Sequence, residues 1–191
     1  MEIGSMKLLT LALGTLLISG FVFGAAEEGY IKARGKPTGA GLFVDGKYIG
    51  PAGRFTVPEK YKVAAGEHEI ALKDPRYEDF SAKVTVRPNK TSKIGYKMKK
   101  VEPAKGPFGR LRFGGDGSES FISVTSGDTG AVYINDKFWG FIDELNNAGG
   151  GALLPPGEYN VRAETNNFGV VTQTVKIEAH KVTVIPLTPK K

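Results

Sequence analysis

At 191 residues the chain is long enough for one medium domain or two small ones. Its 24% charged residues beside frequent Leu, Val, Ile and aromatics exclude a disordered chain, and 26 glycines with 11 prolines favour short strands joined by turns over a helical bundle. The net charge of +6 comes from Lys and Arg scattered along the chain in alternation with apolar residues, which reads as a solvated surface with no nucleic-acid partner, the alternative being weak attraction for anionic envelope polymers or lipid head groups.

The chain opens with Lys7, an uncharged run over residues 8–23, and Gly24-Ala25-Ala26 just before Glu27-Glu28. A short positive start, an apolar centre and a small-residue ending are the parts of a secretory signal, and the run is too short to span a bilayer comfortably. Residues 1–26 are therefore expected to be a cleaved signal, leaving no membrane span; the alternative is an uncleaved anchor helix. Cleavage removes one base, Lys7, and one acid, Glu2, so the net charge stays at +6. The absence of Cys means no disulfide, no thiolate zinc site and no lipid anchor at the signal boundary. The expected location is the periplasm or the extracellular space, not as a lipoprotein.

Beyond Glu28 one pattern occurs twice. Thr38-Gly-Ala-Gly-Leu-Phe-Val-Asp-Gly-Lys-Tyr-Ile-Gly50 matches Thr129-Gly-Ala-Val-Tyr-Ile-Asn-Asp-Lys-Phe-Trp-Gly140 with one residue missing from the second copy. At a constant offset of 91, Ala65-Gly66-Glu67-His68 matches Pro156-Gly157-Glu158-Tyr159, and Val84-Thr85-Val86 matches Val175-Lys176-Ile177. Upstream, Gly29-Tyr-Ile-Lys-Ala33 matches Gly109-Arg-Leu-Arg-Phe113, and a Pro-containing basic stretch between the copies reads as a linker.

Within each copy, Asp45-Gly46 and Asn135-Asp136 lie between alternating apolar residues and signal two-residue hairpins, because both central positions need residues that tolerate positive φ. Such a loop pairs 44 with 47, 43 with 48 and 42 with 49. Leu42, Val44 and Ile49 then share a face with Lys47, while Phe43 and Tyr48 take the other. In the second copy Val132, Ile134 and Trp139 share the aliphatic side, and Tyr133 and Phe138 the aromatic one. Later strands turn His68, Ile70 and Leu72, then Ala82, Val84 and Val86, toward an interior, echoed by Tyr159, Val161 and Ala163, then by Val175 and Ile177.

The run Pro37-Thr38-Gly39-Ala40, with Gly41-Leu42-Phe43-Val44-Asp45-Gly46 and the later Ala65-Gly66-Glu67-His68, resembles the PEGA domain. Thr38 stands where the Pro-Glu-Gly-Ala motif has Glu, and in the second copy Asp128-Thr129-Gly130-Ala131 replaces the motif. The resemblance implies small β-sandwiches of surface-layer and envelope proteins, often in tandem, with no established catalytic residues. The expected fold is all-β: two small antiparallel sandwich domains, PEGA- or Ig-like, behind a signal helix. The expected boundaries are 27–100 and 109–191, with 101–108 as the linker.

Candidate chemistry is sparse. Asp128-Thr129-Gly130 has the look of an aspartic-protease signature, but Ser126-Gly127 precede it instead of a hydrophobic strand, and its counterpart Pro37 cannot ionise. His68 and His180 are too few for a histidine metal cluster, and His68 occupies an inward strand position. Gly114-Gly-Asp-Gly-Ser-Glu-Ser120 lies in an insertion and lacks the ligand spacing of an EF-hand calcium loop, so it reads as a hairpin loop. No catalytic residue, cofactor or metal is expected. The recurrent feature with binding potential is the pair of aromatic faces, Phe43 with Tyr48 and Tyr133 with Phe138. If covered they are core, and if open they offer flat patches to sugar rings or a partner protein. The expected activity is that of a non-enzymatic envelope module that binds or supports an envelope protein or a cell-wall or surface glycan. The alternative is a glycan-binding protein with defined carbohydrate specificity.

Overall fold

The computed structural model describes residues 27–54, 57–102, 105–114, 127–148 and 150–187. Residues 1–26, where the signal is expected, and 115–126, most of the insertion, lie outside them.

The first module holds β1 (Glu28–Lys36), β2 (Gly41–Val44), β3 (Lys47–Pro51), β4 (Gly53–Arg54), β5 (Val57–Pro58), β6 (Tyr61–Ala64), β7 (Gly66–Lys73), β8 (Phe80–Val86) and β9 (Thr91–Lys97). A three-stranded sheet, β6-β1-β9, faces a four-stranded sheet, β3-β2-β7-β8, with β4-β5 as a small ribbon beside them. The second module repeats the plan with β10 (Gly109–Gly114), β11 (Ala131–Ile134), β12 (Lys137–Phe141), β13 (Ala152–Leu154), β14 (Gly157–Thr165), β15 (Gly169–Ile177) and β16 (Val182–Pro186). Its sheets are β13-β10-β16 and β12-β11-β14-β15, and a short π-helical turn at Glu144–Ala148 takes the place of β4-β5. All strand pairs are antiparallel except one in each module, β1 with β9 and β10 with β16.

The turn chemistry appears as positive φ at both central residues of each hairpin: Asp45 at 49° and Gly46 at 79°, Asn135 at 48° and Asp136 at 60°. Val44 opposes Lys47 and Phe43 opposes Tyr48, but Leu42 faces Gly50, not Ile49. A bulge adds one residue to β3 there, and the same irregularity places Val132 opposite Gly140. Gly50 and Gly140 have φ of 150° and 129°, backbone that side chains rarely adopt, so the extra residue falls next to a glycine in both copies.

Each module closes around its own interior. Ile31, Leu42, Ile70 and Leu72 are fully buried in the first, and Leu111, Phe113, Val132 and Ile142 in the second. Burying one such side chain contributes ~1.5–3 kcal/mol, and units this small have few of them. The correspondence extends to unusual backbone. Asn89 and His180 both adopt positive φ, and their N–H groups bond to the carbonyls of Glu28 and Phe108. His180 is thus a turn residue.

Candidate functional site: an aromatic junction between the modules

The bulged hairpins aim Phe43 and Tyr48 of the first module, and Tyr133 and Phe138 of the second, away from their own interiors. The structure brings all four together. Phe43 and Phe138 meet edge to face with ring centroids 5.2 Å apart, Tyr48 lies 5.4 Å from each, and Tyr133 lies 5.9 Å from Phe138. The two aromatic faces therefore cover each other, leaving Phe43 4% and Phe138 5% exposed. Two separate open patches for sugar rings, the second of the two sequence expectations, are not what the fold presents.

Small residues make the approach possible. A Cβ on Gly41 would lie 2.4 Å from the tip of the Phe138 ring, and Ala131 is fully buried in the same contact. The Tyr48 hydroxyl donates to the carbonyl of Thr129 at 2.8 Å across the junction, and burial pushes its pKa well above the ordinary tyrosine value. Cations sit over the outer rings, with the Arg162 guanidinium 3.9 Å from the centre of Tyr133 and Lys73 Nζ 5.1 Å from that of Phe43.

Ion pairs flank the rings. Arg54 pairs with Asp143, and Arg76 Nη2 lies 3.1 Å from Glu144 Oε1. Asp74, 3% exposed, holds Arg76 in place by accepting from its backbone N–H, its Nε and its Nη2 at 2.9, 2.9 and 2.7 Å. Burial raises the Glu144 pKa to about 7, against the pull of the Arg76 charge. A cleft of about 240 Å³ beside this contact is lined by Lys73, Asp74, Asp79, Asp136, Lys137 and Phe138. The junction is quasi-symmetric: Arg54 follows β3 as Asp143 and Glu144 follow β12, and the backbone bonds Ala52 N to Ala40 O and Ile142 N to Gly130 O anchor these corresponding segments.

Arg54, Arg76, Asp143, Glu144 and Gly41 were not singled out from sequence. Asp143 and Glu144 lie just beyond Gly140, where the matched stretch of the second copy ends, while nothing in the sequence pattern marks Arg54, Arg76 or Gly41.

The remaining candidates are structural. Asp128 is fully buried and accepts from the backbone N–H groups of Gly130, Asn166 and Asn167 at 2.8 to 3.2 Å, so its carboxylate ties β11 to the β14–β15 turn. His68 Nδ1 lies 2.7 Å from Asp45 Oδ2, and its Nε2 lies 2.9 Å from the carbonyl of Ala64. In the second module the Tyr159 hydroxyl reaches the carbonyl of Pro155, and Asn135 accepts from Asn160 N–H as Asp45 does from Glu69 N–H. The histidine thus belongs to a brace that the second copy builds from other residues. Among the described residues no three of His, Cys, Asp or Glu are grouped to hold a metal.

Two sandwiches of one topology, each pairing a three-stranded with a four-stranded sheet, define an all-β tandem-module protein. The PEGA domain family model matches residues 28–102, the whole first module, and the chain is a PEGA domain-containing protein. Among solved structures, the Bacillus anthracis TIE protein is similar at 16% identity with a TM-score of 0.31, over 84% of this chain and 33% of that one. The chain spans about a third of the length of that protein. No curated protein matches. Among the described residues no helix is long and apolar enough to cross a membrane.

Proposed function

We propose that this chain is a non-catalytic module of the cell envelope, exported to the periplasm or cell surface, in which two PEGA-like sandwiches act as one rigid unit to bind or brace a protein or glycan partner. The observation that carries this reading is the junction. The largest candidate contact residues are spent on fixing one module against the other, as suits a spacer or brace that transmits position. The buried carboxylates Asp128 and Asp74 support it too, because both are saturated by bonds that shape turns. The test is crosslinking in intact cells from positions on both modules, with the captured species identified and the chain fractionated. Capture of an envelope protein or glycan supports the reading, and recovery of the chain from the cytoplasm refutes it.

A further inference from the structure

We infer that the outer face of the first module's three-stranded sheet is a binding face for a linear anionic glycan. This assignment of a ligand class and a site deepens the envelope reading proposed for the chain, and so rests on it.

Sheet pairing converts the scattered charge of the sequence into a lattice. Lys32, Arg34 and Lys36 of β1 point outward between the buried Ile31 and Ala33 and the inward Gly35, while Lys93 and Lys97 of β9 and Lys62 of β6 point the same way. Parallel register sets Lys32 beside Lys93 and Lys36 beside Lys97. Like charges directly opposed on neighbouring strands are destabilising, so the fold carries a cost here that a structural role does not explain. On this face of the three strands the one carboxylate is Glu28, and it is paired with Lys62.

Gly95 lies beside Arg34 in the middle of the lattice. A Cβ there would meet nothing within 4 Å, and its φ is not positive, so neither packing nor backbone shape requires glycine. The pairing with β1 runs through Gly95 without a bulge, and close approach of a ligand is among the reasons a strand carries glycine. The second module supplies an internal comparison. On its equivalent face Arg110 is flanked by Leu153 and Val182, its guanidinium donates to the carbonyl of Gly150 at 2.9 Å, and Arg112 donates to that of Asn146 at 3.3 Å. The topology therefore tolerates a weakly charged face, and the basic one is particular to the first copy.

Shape and charge select the occupant. Outward side chains repeat every ~6.6 Å along a strand and ~4.8 Å between strands, a flat ladder suited to a linear polymer with anions at regular intervals. A membrane surface is disfavoured because none of the large exposed apolar residues, Val57, Val101, Leu153, Val170 and Val182, lies on β1, β6 or β9 to insert. A nucleic acid is disfavoured because Tyr30 is the one aromatic on this face, and Lys60 Nζ sits 3.7 Å above its ring where a base would stack.

The test is titration calorimetry of the purified two-module chain with oligogalacturonate, neutral dextran, phosphatidylglycerol vesicles and a DNA duplex. The expected result is salt-sensitive binding of oligogalacturonate alone or most tightly. The triple change Lys32→Gln, Arg34→Gln, Lys93→Gln weakens it by roughly a hundredfold, since each near-surface charge is worth about fivefold. Gly95→Glu weakens it by about tenfold or more, while Lys47→Gln, Lys83→Gln, Lys176→Gln, elsewhere on the surface, changes it less than about threefold. Circular dichroism checks that all variants fold. No oligogalacturonate binding, equal loss in the two triple variants, or tighter binding to vesicles or duplex overturns the assignment. Capture of an envelope partner in cells without oligogalacturonate binding defeats this inference and leaves the envelope reading intact, whereas a cytoplasmic chain defeats that reading whatever the calorimetry shows.

Discussion

Phe138→Ala tests whether the junction makes one body of two modules. Phe138 is 5% exposed, touches Phe43, Tyr48 and Tyr133, and belongs to neither module's own interior. A buried Phe removes ~150–250 Å² from water, worth ~4–6 kcal/mol at 25 cal/mol per Å², and measured Phe→Ala costs of ~3–5 kcal/mol set the realistic range. A loss of ~3 kcal/mol concentrated between the modules is a large part of the ~5–15 kcal/mol that stabilises a small domain. Because the sandwich interiors keep every side chain, the expected outcome is uncoupling, not collapse. In urea, Trp139 fluorescence reports the second module alone, whereas far-ultraviolet circular dichroism reports both. The parent chain gives coincident transitions, and Phe138→Ala gives separated ones with a larger radius of gyration by small-angle scattering. Coincident transitions with a loss under ~1 kcal/mol would refute the rigid-junction account.

Glu144 has a folded pKa raised to about 7 against about 4.3 unfolded, so the folded chain binds the extra proton and junction stability falls as pH rises through that window. Glu144→Gln is expected to flatten the dependence of the urea midpoint between pH 5 and 8, and an unchanged slope would assign that dependence elsewhere. The hydrogen bond to Asp45 raises the His68 pKa and lowers that of Asp45. The histidine's contribution is complete below its unfolded value near ~6.5 and is lost as pH rises through the higher folded value. That of Asp45 is present above ~3.9 and is lost on acidification through its depressed value. His68→Gln should therefore cost first-module stability at pH 5.5 and little at pH 9, a difference readable by thermal melts, and equal costs at both would count against the ion pair. Asp128→Ala leaves the buried Gly130 N–H without its acceptor, at about 1–3 kcal/mol for a fully orphaned group, and frees the half-buried N–H groups of Asn166 and Asn167, whose amide exchange should rise. Protection as in the parent would show the carboxylate to be dispensable.

The parts of this fold legible in sequence are those that a few neighbouring residues determine. Asp45-Gly46 and Asn135-Asp136 announced their hairpins because positive φ restricts residue choice, and the offset of 91 carried through to matching turns at Asn89 and His180. Register beyond the first two pairs was not legible. Alternation reads the same whether Leu42 faces Ile49 or Gly50, and the bulge shows only in the backbone. Nor did the sequence reveal that β9 returns parallel beside β1. Strand alternation said which way Lys32 and Lys93 point relative to their own neighbours, but placing them side by side depends on long-range pairing, and so a charged lattice read as scattered charge. The aromatic face was visible as a pattern, with coverage left open, because what covered it was the other copy.

The junction also shows what two similar hairpins must do to meet face to face. Each hairpin contributes one phenylalanine and one tyrosine, in opposite order: Phe43 then Tyr48, Tyr133 then Phe138. Because these rings lie against one another, a change of ring size on one side leaves a gap or a clash that only a change on the other side can relieve. Gly41 faces the Phe138 ring where its sister position carries Ala131, so the two halves of the junction fit by complementing each other's bulk and not by repeating it.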